Sequence, residues 1–63
     1  MTLSPRQREV LSHLAAGYTP KQHDRLGIAY GTFRMHSQLA YRKLGARNDA
    51  HAVAIALRKG LIE

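Results

Sequence analysis

The chain has 63 residues, enough for one small domain but too few to enclose a deep substrate cleft. It contains no cysteine, so neither disulfides nor thiolate metal sites can support the core. Ten Lys and Arg residues outnumber four acidic ones, which gives a net charge of +6. A surplus of this size on so short a chain favours a polyanionic partner, either nucleic acid or an anionic membrane surface.

Membrane association and catalysis find little support in the sequence. No apolar run approaches the ~20 residues of a membrane span, and the N-terminus lacks the pattern of a signal peptide. No two histidines are spaced at i, i+3 or i+4, so no metal site is predicted. No acidic pair has an acid–base spacing, and no phosphate-binding glycine loop is present. We therefore expect no enzyme activity, no cofactor and no small-molecule ligand.

Capping residues predict the first two helices. The first spans residues 4–16, because Ser4 is a suitable N-cap and Gln7 completes a capping box three residues later. The second spans residues 19–26, is short and mostly polar, and begins with a similar set, namely Thr19, Pro20 and Gln22. A glycine follows each predicted helix and indicates its end.

Periodicity predicts two further helices, over about residues 30–44 and about residues 49–59. At ~100° per residue, one face of the third helix consists of Phe33, Ser37, Ala40 and Leu44. Asn48 is the N-cap of the fourth helix, whose apolar face consists of Ala52, Val53, Ala56 and Leu57. No stretch alternates with a period of two. The predicted fold class is therefore all-α, with four helices in one domain over residues 1–63.

The second and third helices, joined by a tight glycine-containing turn, are typical of a helix-turn-helix. In this motif the later helix lies in the DNA major groove, with one face on the protein and the other on base edges. Between Asp24 and Asp49 the sequence has no acidic residue but five basic ones, namely Arg25, Arg34, Arg42, Lys43 and Arg47. A phosphate-lined groove requires both features. We therefore expect the chain to bind double-stranded DNA.

The outward side of the third helix has residue types that suit base reading. Arg34 can pair with guanine, Gln38 can pair with adenine, and Met35 can lie against a thymine methyl group. Phosphate capture is assigned to the basic residues Lys21, Arg25, Arg42, Lys43 and Arg47. The alternative, that these are merely solvated side chains of a surface helix, is disfavoured by the surrounding helix pattern.

Five stretches of sequence stand out in chain order: LSPRQREVL, AAGYT, LGIAYGTFRMH, RKLGARN and AVAIALRKGLI. They cover nearly the whole chain and resemble, in the same order, the LuxR-type DNA-binding domain, a four-helix module at the C-terminus of many bacterial regulators. The resemblance implies that the third helix is the recognition helix and that Thr32 contacts a backbone phosphate. It also implies that Glu9 pairs with Arg42 or Lys43 of the third helix.

The same resemblance implies a homodimer on adjacent DNA half-sites. The fourth helix would form the dimer contact, for which its apolar face provides Ala52, Val53 and Ala56. A transcription regulator of this kind is expected in the bacterial cytoplasm, associated with the nucleoid.

Three features depart from the LuxR-type pattern. The second helix is one residue shorter, and His23 and Asp24 stand where isoleucine and alanine pack inward. Because one deleted residue rotates the rest of a helix by ~100°, this helix is expected to shorten, slip or dock differently. Ala29 replaces the serine N-cap of the third helix, a loss of roughly 1 kcal/mol. Phe33 replaces a smaller aliphatic residue and is expected to fill space left by the second helix.

Two other classes of protein fit part of the pattern. The promoter-reading region of a sigma factor shares the helix-turn-helix, but it normally lacks the Leu-Gly-Ala turn before a fourth amphipathic helix. A protein-interaction module would pair through the fourth helix with another LuxR-type regulator and act as an anti-activator. Salt separates this interpretation from DNA binding, because phosphate contacts weaken steeply as salt rises whereas an apolar contact changes little.

Overall fold

The computed structural model describes residues 2–63, which form four helices and, within that range, no strand. The helices are α1 (Pro5–Ala15), the 3₁₀ helix η1 (Pro20–Leu26), α2 (Tyr30–Leu44) and α3 (Asp49–Arg58). The predicted all-α fold is confirmed, and the predicted bounds differ from these by at most one residue at either end. The predicted third and fourth helices are α2 and α3.

Side-chain caps begin α1 and α3 as the sequence indicates. Ser4 Oγ accepts from the Gln7 backbone N–H at 3.1 Å, and Gln7 Oε1 accepts from the Ser4 N–H at 3.0 Å. Asn48 Oδ1 accepts from the His51 N–H at 2.9 Å. Helix α2 begins after Ala29, which provides no side-chain cap. The predicted loss of this cap is confirmed, and the first N–H groups of α2 have no side-chain acceptor of that kind.

The second helix is 3₁₀ rather than α, and it contains Gln22 with non-helical backbone angles. Its start is held by the Thr19 N–H, which donates to Gln22 Oε1 at 2.8 Å. Its end is Gly27, at φ +69°, a left-handed conformation in which a side chain would be strained. None of its seven residues is fully buried. The shortened segment therefore forms a 3₁₀ helix, which is tighter than an α-helix and has no fully buried residue.

The core lies where α1 packs against both α2 and α3. It contains a cluster of buried apolar residues, namely Leu3, Leu11, Ala40, Leu44, Ala52, Ala56 and Ile62. Phe33 of α2 is also fully buried, as predicted, and burying one such side chain contributes about 1.5–3 kcal/mol. Ile62 reaches this core because the chain turns back after α3, where the Leu61 N–H donates to the Ala56 carbonyl at 2.8 Å. The packing of these helices thus fixes one face of α2 and leaves the other to solvent.

His13 of α1 joins the core to the loop before η1. Only 6% of it is exposed, and its Nε2 lies 2.9 Å from the Thr19 carbonyl oxygen. Its ring packs edge-on against Phe33 and at a tilt against Tyr18, with both ring centroids at 5.2 Å. One imidazole therefore positions the α1–η1 loop relative to α2.

Candidate nucleic-acid interface

Helix α2 has one buried and one solvent-exposed side. The buried side consists of the predicted residues Phe33, Ser37, Ala40 and Leu44. Of the predicted base-reading residues, Gln38 is exposed and Met35 is 52% exposed, while Arg34 is half-buried on the flank of the helix. Thr32 is half-buried in the first turn of α2. The three predicted base-reading residues therefore lie within four residues of one another, outside the buried stripe.

The predicted phosphate-binding cations lie in three segments. Lys21 and Arg25 belong to η1, Arg42 and Lys43 to the last turn of α2, and Arg47 to the turn before α3. All five are exposed. Across residues 2–63 the only ion pair joins Arg6 and Glu9, so none of the five is neutralised by an acidic side chain there. The structure thus combines a helix that has an exposed, acid-free side with unneutralised cations before it, in its last turn and after it.

The prediction that Glu9 pairs with Arg42 or Lys43 is wrong. Glu9 instead accepts from Arg6, three residues earlier on α1, at 3.2 Å. Lys43 Nζ donates to the Thr2 carbonyl at 3.2 Å. A neighbour one turn away on the same helix pairs with the carboxylate, so Arg42 and Lys43 have no acidic partner within residues 2–63.

Arg25 has a defined position above an aromatic ring. Its guanidinium carbon lies 4.0 Å from the centroid of Tyr18, a cation–π geometry. Tyr18 in turn packs on His13. Within residues 2–63 Arg25 has no acidic partner, so its N–H groups are available to donate to a ligand. This contact was not predicted from the sequence, because Tyr18 and Arg25 belong to different segments and meet only through the fold.

His23 holds the turn between η1 and α2. Its Nδ1 lies 2.7 Å from the Ile28 carbonyl oxygen, and its ring meets Tyr30 edge-on at 5.8 Å between centroids. His23 is half-buried, whereas Asp24 is exposed. The imidazole thus occupies an inward position, as the LuxR-type pattern suggested, but it acts through a hydrogen bond to the backbone rather than through apolar packing. Its role as an anchor was not visible in the sequence.

The predicted dimer contact needs a correction. Ala52 and Ala56 are fully buried in the core, so they cannot touch a second copy of the folded domain. They were assigned from the apolar stripe of the helix, which here packs inward. Val53 is half-buried, and the outward side of α3 exposes Ala50 and Leu57, the latter by 46%.

A helix-turn-helix whose second helix exposes a basic, acid-free side defines a DNA-binding domain. Residues 1–56 match the model of the family described as bacterial regulatory proteins, luxR family. The chain therefore belongs to the luxR family of DNA-binding bacterial regulators, which decides between this family and a sigma-factor region. Within the described residues, no helix is both long and apolar enough to cross a bilayer.

Curated relatives support this assignment. A probable transcriptional regulatory protein NarL of Mycobacterium tuberculosis is 42% identical over 97% of this chain and 29% of its own length. The transcriptional activator protein BjaR1 of Bradyrhizobium diazoefficiens is 43% identical over 95% of the chain and 25% of its length. The transcriptional activator protein CarR of Pectobacterium carotovorum is 42% identical, over 94% and 25%. The chain thus spans 25–29% of these relatives. No solved structure gives a significant match.

Proposed function

We propose that this domain regulates transcription by binding specific sites in double-stranded DNA, with α2 in the major groove. The exposed, acid-free side of α2 is the observation that supports this most strongly. An α-helix with its side chains is about 10–12 Å across and fits a groove about 12 Å wide. The opposite side of α2 is buried against the core. This packing holds the helix in a fixed position, which base reading requires.

In this proposal, phosphate contacts place the domain and base contacts select the sequence. Arg34 pairs with guanine, Gln38 with adenine, and Met35 lies against a thymine methyl group. Thr32 contacts a phosphate at the start of α2, where Ala29 leaves the first N–H groups without a side-chain cap. The remaining phosphate contacts come from the five exposed cations Lys21, Arg25, Arg42, Lys43 and Arg47.

Two copies bind adjacent half-sites, because one small domain contacts few phosphates. The outward side of α3 supports this part of the proposal, with Val53 at its edge and Ala50 and Leu57 exposed. Size-exclusion chromatography of the free protein and of its DNA complex tests the dimer. In the cell, such a regulator acts in the bacterial cytoplasm on the nucleoid.

Fluorescence anisotropy on a random-sequence duplex, at several salt concentrations, tests the core of the proposal. If each of the five cations neutralises one phosphate, the slope of log K against log salt should be about −4 to −5 for each domain. Absence of binding at low salt would contradict the proposal. It would favour instead an anti-activator that pairs through α3 with another LuxR-type regulator, a complex that should change little with salt.

A further inference from the structure

Within residues 2–63, the exposed large apolar side chains are concentrated on α2. Those of Tyr30, Met35 and Leu39 are 48%, 52% and 40% exposed, and the remaining one in that range, Leu57, belongs to α3. Single exposed apolar residues are common on protein surfaces. Met35 and Leu39 differ because they are four residues apart on one α-helix, which places them side by side. Together they form an apolar pair on the solvent side of α2.

The surroundings of this pair indicate what it contacts. Gln38 lies between the two residues in sequence, and Arg42 and Lys43 follow within four residues of Leu39, all of them exposed. Helix α2 has no acidic residue. A surface that is apolar at its centre and basic beside it complements a polyanion with apolar groups set between its phosphates. In the DNA major groove, the 5-methyl group of thymine is such a group.

We propose that Met35 and Leu39 act together on two thymine methyl groups, which makes Leu39 a further specificity-determining residue. The inference rests on the proposed placement of α2 in the major groove. The two residues are ~6 Å apart along the helix axis, and successive bases on one strand are ~3.4 Å apart. The preferred half-site should therefore contain two thymines within about two base-pair steps.

Removal of single methyl groups from the DNA tests this directly. A duplex selected by the wild-type protein from a random library is resynthesised with uracil in place of one thymine at a time. Base pairing is unchanged and only a methyl group is lost. Affinity should fall about fourfold at each of two thymines, the effect of one buried methyl-sized group. Uracil at the other thymines should have no such effect.

Protein variants assign each methyl group to a side chain. At one of the two positions, the Leu39→Ala variant should bind the duplex with thymine and the duplex with uracil with equal affinity. The Met35→Ala variant should show this loss of preference at the other position. Leu39→Met, which keeps an apolar side chain of similar reach, should retain the preference for thymine. Leu57→Ala is the matched control: it removes a similarly exposed leucine from α3, and it should preserve the preference at both positions, whatever it does to overall affinity.

The outcomes separate this inference from the proposed function. If Arg34→Ala weakens binding to the selected duplex but Leu39→Ala keeps both thymine preferences, the role of Leu39 is overturned and DNA reading by α2 stands. If uracil is tolerated at every position by the wild-type protein, the methyl contacts are overturned. If the wild-type protein selects no duplex at low salt, both the proposed DNA binding and the proposed methyl contacts are contradicted. Circular dichroism of each variant shows that a lost preference is not lost folding.

Discussion

The two helices of the helix-turn-helix are held in different ways. Helix α2 has fifteen residues, and four of them are buried against the core. The 3₁₀ helix η1 has seven residues, and none is fully buried. Hydrogen bonds to backbone carbonyls fix the segments on either side of η1, one from His13 to Thr19 and one from His23 to Ile28. Apolar packing therefore positions α2, whereas hydrogen bonds to two backbone carbonyls help to position η1.

This difference predicts different sensitivities to mutation. Apolar packing is spread over many contacts and depends on volume, so one large truncation in α2 should be costly. A hydrogen bond to a carbonyl contributes a net ~1 kcal/mol. Its loss should move η1 locally without unfolding the domain.

Phe33→Ala should have the largest effect, because it removes the largest fully buried side chain and the surface against which His13 packs. The expected loss is about 3–5 kcal/mol in the free energy of unfolding. Since small domains have only about 5–15 kcal/mol in total, this loss should lower the midpoint of thermal unfolding by more than about 10 °C. Thermal unfolding by circular dichroism measures this. Met35→Ala, on the exposed side of the same helix, is the matched control, and an equal loss there would contradict the two-sided description of α2.

Arg34→Ala and Lys21→Ala compare the two helices in DNA binding. Arg34→Ala should weaken binding to the preferred site by about 1–3 kcal/mol and relax selection at one base pair. Lys21→Ala, on η1, should weaken binding equally on all sequences and reduce the salt slope by about 1. Anisotropy titrations on specific and random duplexes measure both. A uniform loss for Arg34→Ala would instead assign Arg34 to a phosphate.

The sequence predicts the parts of this structure that depend on local chemistry. The capping box of Ser4, the cap at Asn48 and the buried stripe beginning with Phe33 were all predicted correctly, because each depends on neighbouring residues. The 3₁₀ geometry of η1 was not predicted, since its backbone depends on where the chain must rejoin α2. The assignment of Ala52 to a dimer contact was wrong, because periodicity identifies an apolar side but not what covers it.

For the candidate interface, the sequence predicts which side of α2 is outward but not what positions its neighbours. The contacts of His13 with Thr19 and of Arg25 with Tyr18 join segments whose approach is set by the fold. The predicted partner of Glu9 was wrong for the opposite reason, because Arg6 lies one turn away on the same helix and pairs with Glu9 locally.

His23→Ala tests whether one hydrogen bond fixes the η1–α2 turn. The variant loses the contact with the Ile28 carbonyl at 2.7 Å and the edge-on contact with Tyr30. The expected loss of unfolding free energy is about 0.5–1.5 kcal/mol. Hydrogen exchange should increase in η1 and in the first turn of α2, while α1 and α3 keep their protection. Faster exchange throughout the domain would show that η1 is not independent of the core.

The contact between Tyr18 and Arg25 should give the smallest effect, since an exposed cation–π pair contributes about 0.5–1 kcal/mol. Tyr18→Leu should weaken binding to a random duplex by about this amount, because Arg25 then loses the ring that orders it. Tyr18→Phe keeps the ring and should bind as the wild type does. Anisotropy in low salt measures each affinity.

A double-mutant cycle isolates this positioning effect from the packing of Tyr18 on His13. In an Arg25→Ala background, Tyr18→Leu should cause no further loss of DNA affinity, because the side chain that the ring orders is already absent. A further loss of equal size would show that Tyr18 acts through the α1–η1 loop instead. No residue of η1 is fully buried. If Tyr18→Leu causes no further loss in the Arg25→Ala background, then Arg25 is positioned by an aromatic ring outside its helix rather than by core packing.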